Sequence, residues 1–198
     1  MIINALQNNK KTTNIIRTLG LSRAKELIAR FEHLLPKQGK IVDVGCGVGH
    51  ISEILINKNY NVIPLDVDNK SFSPTVIPTI YDGATFPFHD NSCDTVLLIT
   101  VLHHTKSPET IIKEAARVAK NIIIIEDIYT NPIEKYTTYF FDSLFNLEFK
   151  GHPHTNKTDK EWKKLFNELE LRLTETQYKR SYGVFNHALY HLATKNSQ

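Results

Sequence analysis

Apolar residues at Leu21, Ala24, Leu27, Ile28, Phe31 and Leu34 recur with helical spacing, and Pro36 follows closely enough to end the pattern. The spacing predicts a helix with one covered face. Beyond it the period changes. "KIVDVG", "NVIPLD", "VIPTIYDG", "DTVLLITVL" and "NIIIIEDI" are apolar runs of strand length, rich in β-branched residues and bounded by turn formers. They are too continuously apolar to leave one face wet, which predicts parallel strands covered on both sides. Helical patterns lie between them. The clearest is "SPETIIKEAARVAK", with Ser107 as N-cap, Pro108 at the first helical position, and Ile111, Ile112, Ala115 and Val118 on one face. Strands alternating with helices give an α/β fold: a doubly wound, mostly parallel sheet with helices on both faces.

Past Ile128 the pattern changes again. An aromatic-rich helical stretch (Tyr136, Tyr139, Phe140, Phe141, Phe145) and a polar loop replace the next strand, so a helical insertion is expected after strand five. Its aromatics either pack on the sheet or form a lid lining an acceptor pocket. "DKEWKKLFNELE" predicts an amphipathic helix with Trp162, Leu165, Phe166 and Leu169 inward. "LRLTETQYK" and "HALYHLAT" then add final strands, completing a seven-stranded sheet with an antiparallel C-terminal edge. Residues 7–14 are polar and read as a mobile terminus. The expected organisation is one domain over 1–198: an N-terminal helical segment (1–37), a ligand-binding core (38–128), the insertion or lid (129–160), and a C-terminal helix with the last strands (161–198).

Composition narrows the function classes. A hydrophobic share of 41% and a charged share of 23% suit a folded globular chain. The net charge of +3 is spread along the chain, without the basic cluster or stacking platform of a nucleic-acid groove. Cys46 and Cys93 stand far apart without metal-binding spacing, so neither a disulfide nor a zinc site is expected. "HPH" at 152–154 supplies two histidines and no visible third ligand, which favours a lid or hinge loop over a metal site. No run approaches a membrane span and the start lacks a secretory h-region, so a cytoplasmic protein without stable membrane insertion is expected.

The chemistry concentrates in "IVDVGCGVGHIS". A strand runs through Gly45, Gly47 and Gly49 into a helix, exposing backbone N–H groups at a helix N-terminus with no side chain in the way. A dinucleotide fingerprint would need glycine at position 50, where His50 stands, and no Gly-Lys-Ser/Thr follows to make a phosphate loop. These absences count against a nicotinamide oxidoreductase. Some twenty residues on, Asp66 ends the second strand, where a carboxylate in this architecture accepts ribose hydroxyls. Asp68 competes for that role, although a solvated turn suits it better.

Together these segments resemble the class I S-adenosylmethionine-dependent methyltransferases, particularly the group that includes the quinone-biosynthesis enzymes, from about Gly39 to Ile128. "IVDVGCGVG" is similar to the family's first motif and Asp66 to its second acidic position. "YDGATFPFHDNSCDTVLLITVLHHTKSPETIIKEAARVAKNIIIIED" is similar to the third and most specific stretch. His89 departs from the usual proline and Cys93 from the usual aromatic residue. The resemblance implies S-adenosyl-L-methionine as cofactor, held by Asp43, Gly45, Cys46, Gly47, Gly49, Asp66, Val67, Asp82, Gly83 and Thr100. Asp82 would take the adenine amine and Gly83 would contribute its backbone. Asp43 would either face the sulfonium or hold the loop's shape.

Methyl transfer needs alignment and exclusion of water more than a nucleophile. Where the acceptor must lose a proton, His103 or His104 just past strand four could serve as base, His104 facing the methyl group; alternatively they pack or cap locally. No Asn/Asp-Pro-Pro-aromatic signature follows strand four, and no attacking cysteine, so a small, partly apolar acceptor is expected rather than a nucleobase. A noncatalytic cofactor-binding module is the competing function.

Overall fold

The computed structural model describes residues 10–130, 134, 155–181 and 185–195. In chain order the elements are α1 (Lys10–Phe31), a 3-10 turn (Glu32–Leu34), β1 (Lys40–Val44), α2 (His50–Asn57), β2 (Asn61–Asp66) and β3 (Thr79–Ile80). There follow β4 (Cys93–Ile99), a 3-10 turn (Leu102–His104), α3 (Pro108–Val118), β5 (Ala119–Ile128), α4 (Asp159–Glu168), β6 (Arg172–Ser181) and β7 (Phe185–Ala193). The helix read from Leu21 begins at Lys10, so residues 10–14 belong to α1 and not to a mobile tail. The insertion's aromatics and "HPH" lie outside the described residues.

The strands form one seven-stranded sheet in the order β3-β2-β1-β4-β5-β7-β6. β1 is parallel to β2 on one side, Val44 opposite Leu65, and to β4 on the other, Val44 opposite Leu98. The chain thus winds outward in one direction from β1 and then returns to build the other half. The carboxyl ends of β1 and β4 mark the switch point, where this architecture opens a crevice. The antiparallel strand is C-terminal, as expected, yet it sits one place in from the edge: β7 pairs with β5, Ile124 opposite Tyr190, and with β6 outside it. The side chains explain the order. β7 buries Ala188, Leu189, Tyr190 and Leu192, whereas "RLTETQYKRS" of β6 is a polar strand able to face solvent at an edge.

Alternation along the strands sorts two cores. Ala24, Leu27, Ile28 and Phe31 of α1 and Leu55 of α2 cover Ile41, Leu97, Ile123, Ile125 and Leu189. On the opposite face Ile111, Ile112, Ala115 and Val118 of α3, with Trp162 and Phe166 of α4, cover Val42, Val96, Leu98, Ile122 and Tyr190. Capping follows the reading at α3, where Ser107 accepts from the Thr110 N–H. At α4, Thr158 and Glu161 form a reciprocal capping box.

Candidate functional site

The loop after β1 takes the backbone where only glycine is at ease: Gly45, Gly47 and Gly49 have φ of 66°, 51° and 81°. Gly45 and Cys46 donate their N–H groups to the Leu65 carbonyl at 2.8 and 3.2 Å, tying the loop to the tip of β2. The three glycines differ in what surrounds them. A Cβ on Gly45 would lie 2.2 Å from Val101 Cγ2, and one on Gly49 2.8 Å from Ser71 Oγ, so both are closed by neighbouring chain. A Cβ on Gly47 would meet nothing nearer than the Gly45 carbonyl oxygen at 3.9 Å. Gly47 is the open face, where a ligand can approach the main chain. His50 begins α2 beneath α1, so close to Gly20 that a Cβ there would lie 2.1 Å from His50 Cε1. Arg17 of α1 pairs with Glu53 on the same turn of α2.

Two carboxylates meet this loop. Asp43, 2% exposed, accepts from Ser52 Oγ at 2.6 Å and so braces β1 against α2. Burial pushes its carboxyl up to about 6; the Ser52 bond opposes the rise and the charge of Asp66 adds to it. Asp66, at the tip of β2, reaches back: Oδ2 accepts the Gly47 N–H at 2.7 Å and Oδ1 the Val67 N–H at 2.7 Å. Asp68 accepts from the Asn69 N–H in an exposed turn, as its solvated reading expected. The Cys46 thiol is pushed up by burial and by Asp43 and Asp66, so it stays protonated and unreactive.

β3 brings in the second carboxylate tip. The Tyr81 N–H donates to the Asp66 carbonyl at 3.0 Å, setting Asp82 and Gly83 beside the end of β2. Gly83 (φ 82°) is near enough to Val67 that a Cβ would meet Val67 Cγ1 at 3.2 Å. Val67 is itself 53% exposed, an apolar surface at the crevice. Exposed Asp82 receives the Ala84 and Thr85 N–H groups at 2.8 and 2.7 Å, both on Oδ1, and these bonds hold its carboxyl below the usual range. Arg117 of α3 pins the following turn, donating to the Phe88 carbonyl at 2.9 Å, the Phe86 carbonyl at 3.1 Å and Asp90 at 2.8 Å.

The fourth tip is strained. Thr100 follows β4 at φ 51°, a left-handed conformation held by its N–H bond to the Ile125 carbonyl at 2.7 Å. Val101 then packs on Gly45, and the Leu102–His104 turn follows. His103, 1% exposed, places Nδ1 2.6 Å from Glu126 Oε2, while Glu126 Oε1 accepts the Leu102 N–H at 2.7 Å. The ring of half-buried His104 lies 4.1 Å from that of His103. Thr155, at the return of the insertion, donates its N–H to the His103 carbonyl at 3.3 Å and Oγ1 to the Leu102 carbonyl at 3.1 Å.

The structure therefore gathers Asp43, the glycine loop, Asp66, Val67, Asp82, Gly83, Thr100 and the two histidines at one end of the sheet. Glu126, Ser52, Thr155 and Asn156 were not anticipated. Glu126 had a signal, a carboxylate in the apolar run "NIIIIEDI", where a charge needs a partner. Asn156 had none; it is 8% exposed and both polar atoms of its side chain lack a partner. Among the described residues no cluster of His, Cys, Asp or Glu could hold a metal ion, Cys46 and Cys93 are free thiols, and no helix is long and apolar enough to cross a membrane.

Residues 42–122 match the family model described as a methyltransferase domain. A ubiquinone biosynthesis O-methyltransferase from Hahella chejuensis is 24% identical over 143 residues, 67% of this chain and 58% of its own. The chain thus spans less than two thirds of that relative's length. A SAM-dependent methyltransferase from Methanosarcina mazei superposes with a TM-score of 0.64 at 20% identity, over 83% of this chain and 96% of its own. The magnesium protoporphyrin IX methyltransferase of Synechocystis, solved with bound SAH, superposes with a TM-score of 0.62 at 18% identity, over 90% of this chain and 85% of its own.

Proposed function

We infer that this chain is a class I S-adenosylmethionine-dependent methyltransferase that transfers a methyl group from that cofactor to a small, partly apolar acceptor. The residues present fit the cofactor. The open face of Gly47 admits its methionine end close against the main chain. Asp66 would accept the ribose hydroxyls, since a carboxylate has about four lone-pair positions and three backbone bonds do not fill them. Asp82 would receive the adenine amine on the oxygen its turn does not use, and Val67 offers an apolar surface to the base. When bound, the cofactor supplies a methyl group already activated on a sulfonium.

The chain's own part is then to position, exclude water and remove a proton. The name of the curated relative favours an oxygen acceptor, and the histidine turn beside Gly45 favours removal of its proton there. Thr155 bonds the carbonyls of the Leu102–His104 turn, which supports an acceptor entrance beside that turn. The observation that carries the reading is the bond from Gly47 N–H to Asp66: it couples the open glycine to the ribose-type carboxylate in one rigid cradle.

Isothermal titration with S-adenosylhomocysteine tests it. Wild-type chain should bind, and Asp66→Ala should lose about 1–3 kcal/mol, the cost of unpaired hydroxyls. No binding by the wild type, or full affinity in the variant, overturns the assignment. Transfer of labelled methyl to a panel of small phenols and catechols separates catalysis from mere cofactor binding.

A further inference from the structure

We propose that the Thr100 hydroxyl faces the methyl group to be transferred, as an orienting contact on the acceptor side of the crevice; this rests on the function inferred above and deepens it. The backbone singles the residue out. Among the described residues four other than glycine have positive φ: Asn59, Asn91, Thr100 and Glu170. Asn59 and Glu170 follow the ends of α2 and α4, where a left-handed residue commonly closes a helix, and Asn91 lies in a turn that asparagine tolerates. Thr100 alone is β-branched, at φ 51° on a strand tip. Glycine or asparagine would sit there with less strain, so the cost of a threonine points to a use for its side chain.

That side chain is free to act. Thr100 is half-buried, and its hydroxyl takes no partner among the described residues and is not sealed from solvent. The neighbouring hydroxyls are occupied: Thr105 Oγ1 donates to the Leu102 carbonyl at 2.8 Å, and Thr155 Oγ1 to the same carbonyl at 3.1 Å. Place in the sheet assigns the task. Across the order β3-β2-β1-β4, the first three tips carry Asp82, Asp66 and the glycine loop, where the cofactor's adenine, ribose and methionine end would lie. The tip of β4 is next in line. Val44 lies opposite Leu98, so Thr100, two residues on, leaves β4 level with that loop, and Val101 after it packs on Gly45. The Thr100 N–H bond to the Ile125 carbonyl and the Leu102 N–H bond to Glu126, both 2.7 Å, hold the strained residue from either side. A methyl group on a sulfonium carries positive hydrogens, and a hydroxyl oxygen beside them attracts without reacting. The contact thus aims the methyl carbon and forms no covalent bond.

Isothermal titration of the full chain with two ligands tests it: S-adenosylhomocysteine, which has nothing at the methyl position, and sinefungin, whose amine occupies that position. In the wild type Thr100 Oγ1 would accept from the amine. Thr100→Val keeps the branch and the strain but removes the hydroxyl, and should weaken sinefungin about tenfold while S-adenosylhomocysteine stays within about twofold. Thr100→Ser, which keeps the hydroxyl, should hold both affinities within about threefold of wild type. A purely structural threonine would move the two ligands together. Equal losses in Thr100→Val, or no loss for sinefungin, overturn the proposal. Should Thr100→Val fail to fold, Thr100→Gly, which adopts this backbone without strain, decides by the same ratio. A wild type that binds neither ligand overturns the cofactor reading and this proposal with it; one that binds both, with variants that lose both alike, overturns this proposal alone.

Discussion

Asp43→Asn should stabilise the chain at neutral pH, the reverse of what removing a hydrogen-bonded carboxylate usually does. In the fold this side chain is 2% exposed, its bonds with Ser52 offset burial only in part, and Asp66 adds like charge. Raising the carboxyl from 3.8 to about 6 means that the folded state binds the proton more tightly than the unfolded chain. The charged form therefore carries a penalty above pH 6, which fades as pH falls through the folded value towards the unfolded one. Linkage puts it at about 3 kcal/mol at pH 8 and about 1.6 kcal/mol at pH 5. Asparagine keeps an oxygen for the Ser52 hydroxyl and removes the charge, so urea unfolding should show the variant ahead of wild type at pH 8 with the margin shrinking by about half at pH 5. A less stable variant at pH 8, or a margin independent of pH, refutes the reasoning. The same variant separates the two roles for Asp43. A brace predicts equal small changes in affinity for S-adenosylmethionine and S-adenosylhomocysteine, whereas contact with the sulfonium predicts loss confined to the cationic ligand.

Gly45→Ala should destabilise the fold by about 2 kcal/mol or more in urea titration, because its Cβ would lie 2.2 Å from Val101 at a φ of 66°. Gly47→Ala, with open space around it, should cost only the left-handed penalty of about 1–2 kcal/mol while weakening cofactor titrations at least tenfold. Equal effects of the two substitutions on binding and stability would deny that Gly47 is the open face. Arg117→Ala releases two carbonyls and Asp90 from the turn at 86–90, and should weaken S-adenosylhomocysteine binding more than the binding of its inosine counterpart, which lacks the exocyclic amine. Identical losses for the two ligands would detach Arg117 from the Asp82 turn.

What could be read from the chain was local. Apolar runs of strand length, the Ser107 cap and the glycine spacing each sit within a dozen residues, and the fold returns them nearly unchanged. What could not be read depends on pairing across the sheet. β7 lies between β5 and β6 because its apolar residues need cover and those of β6 do not, a comparison that becomes visible only once both strands compete for the same edge. β3 shrinks to Thr79–Ile80, since it pairs only with Leu65 and Asp66. Glu126 was passed over although it is a charge in an apolar run, and its partner lies 23 residues earlier, fixed by the β4–β5 register. Asn156 left no periodic trace at all.

The carboxylates at the strand tips share a further property that bears on which ligand the crevice takes. Among the described residues Asp43 is bonded to a serine hydroxyl, and Asp66 and Asp82 to backbone N–H groups; no lysine or arginine bonds any of them. Amide donors orient a carboxylate without cancelling its charge, as a guanidinium would. Arg117, which pins the turn after Asp82, is instead spent on Glu114, Asp90 and two carbonyls. The crevice beside Gly47 thus keeps negative potential and rigid acceptors at once. A bare anionic group entering there would meet Asp66 and Asp43 as like charges. A ligand with hydroxyl and amine donors and a positive centre meets no such penalty, and the sulfonium nucleoside combines those features.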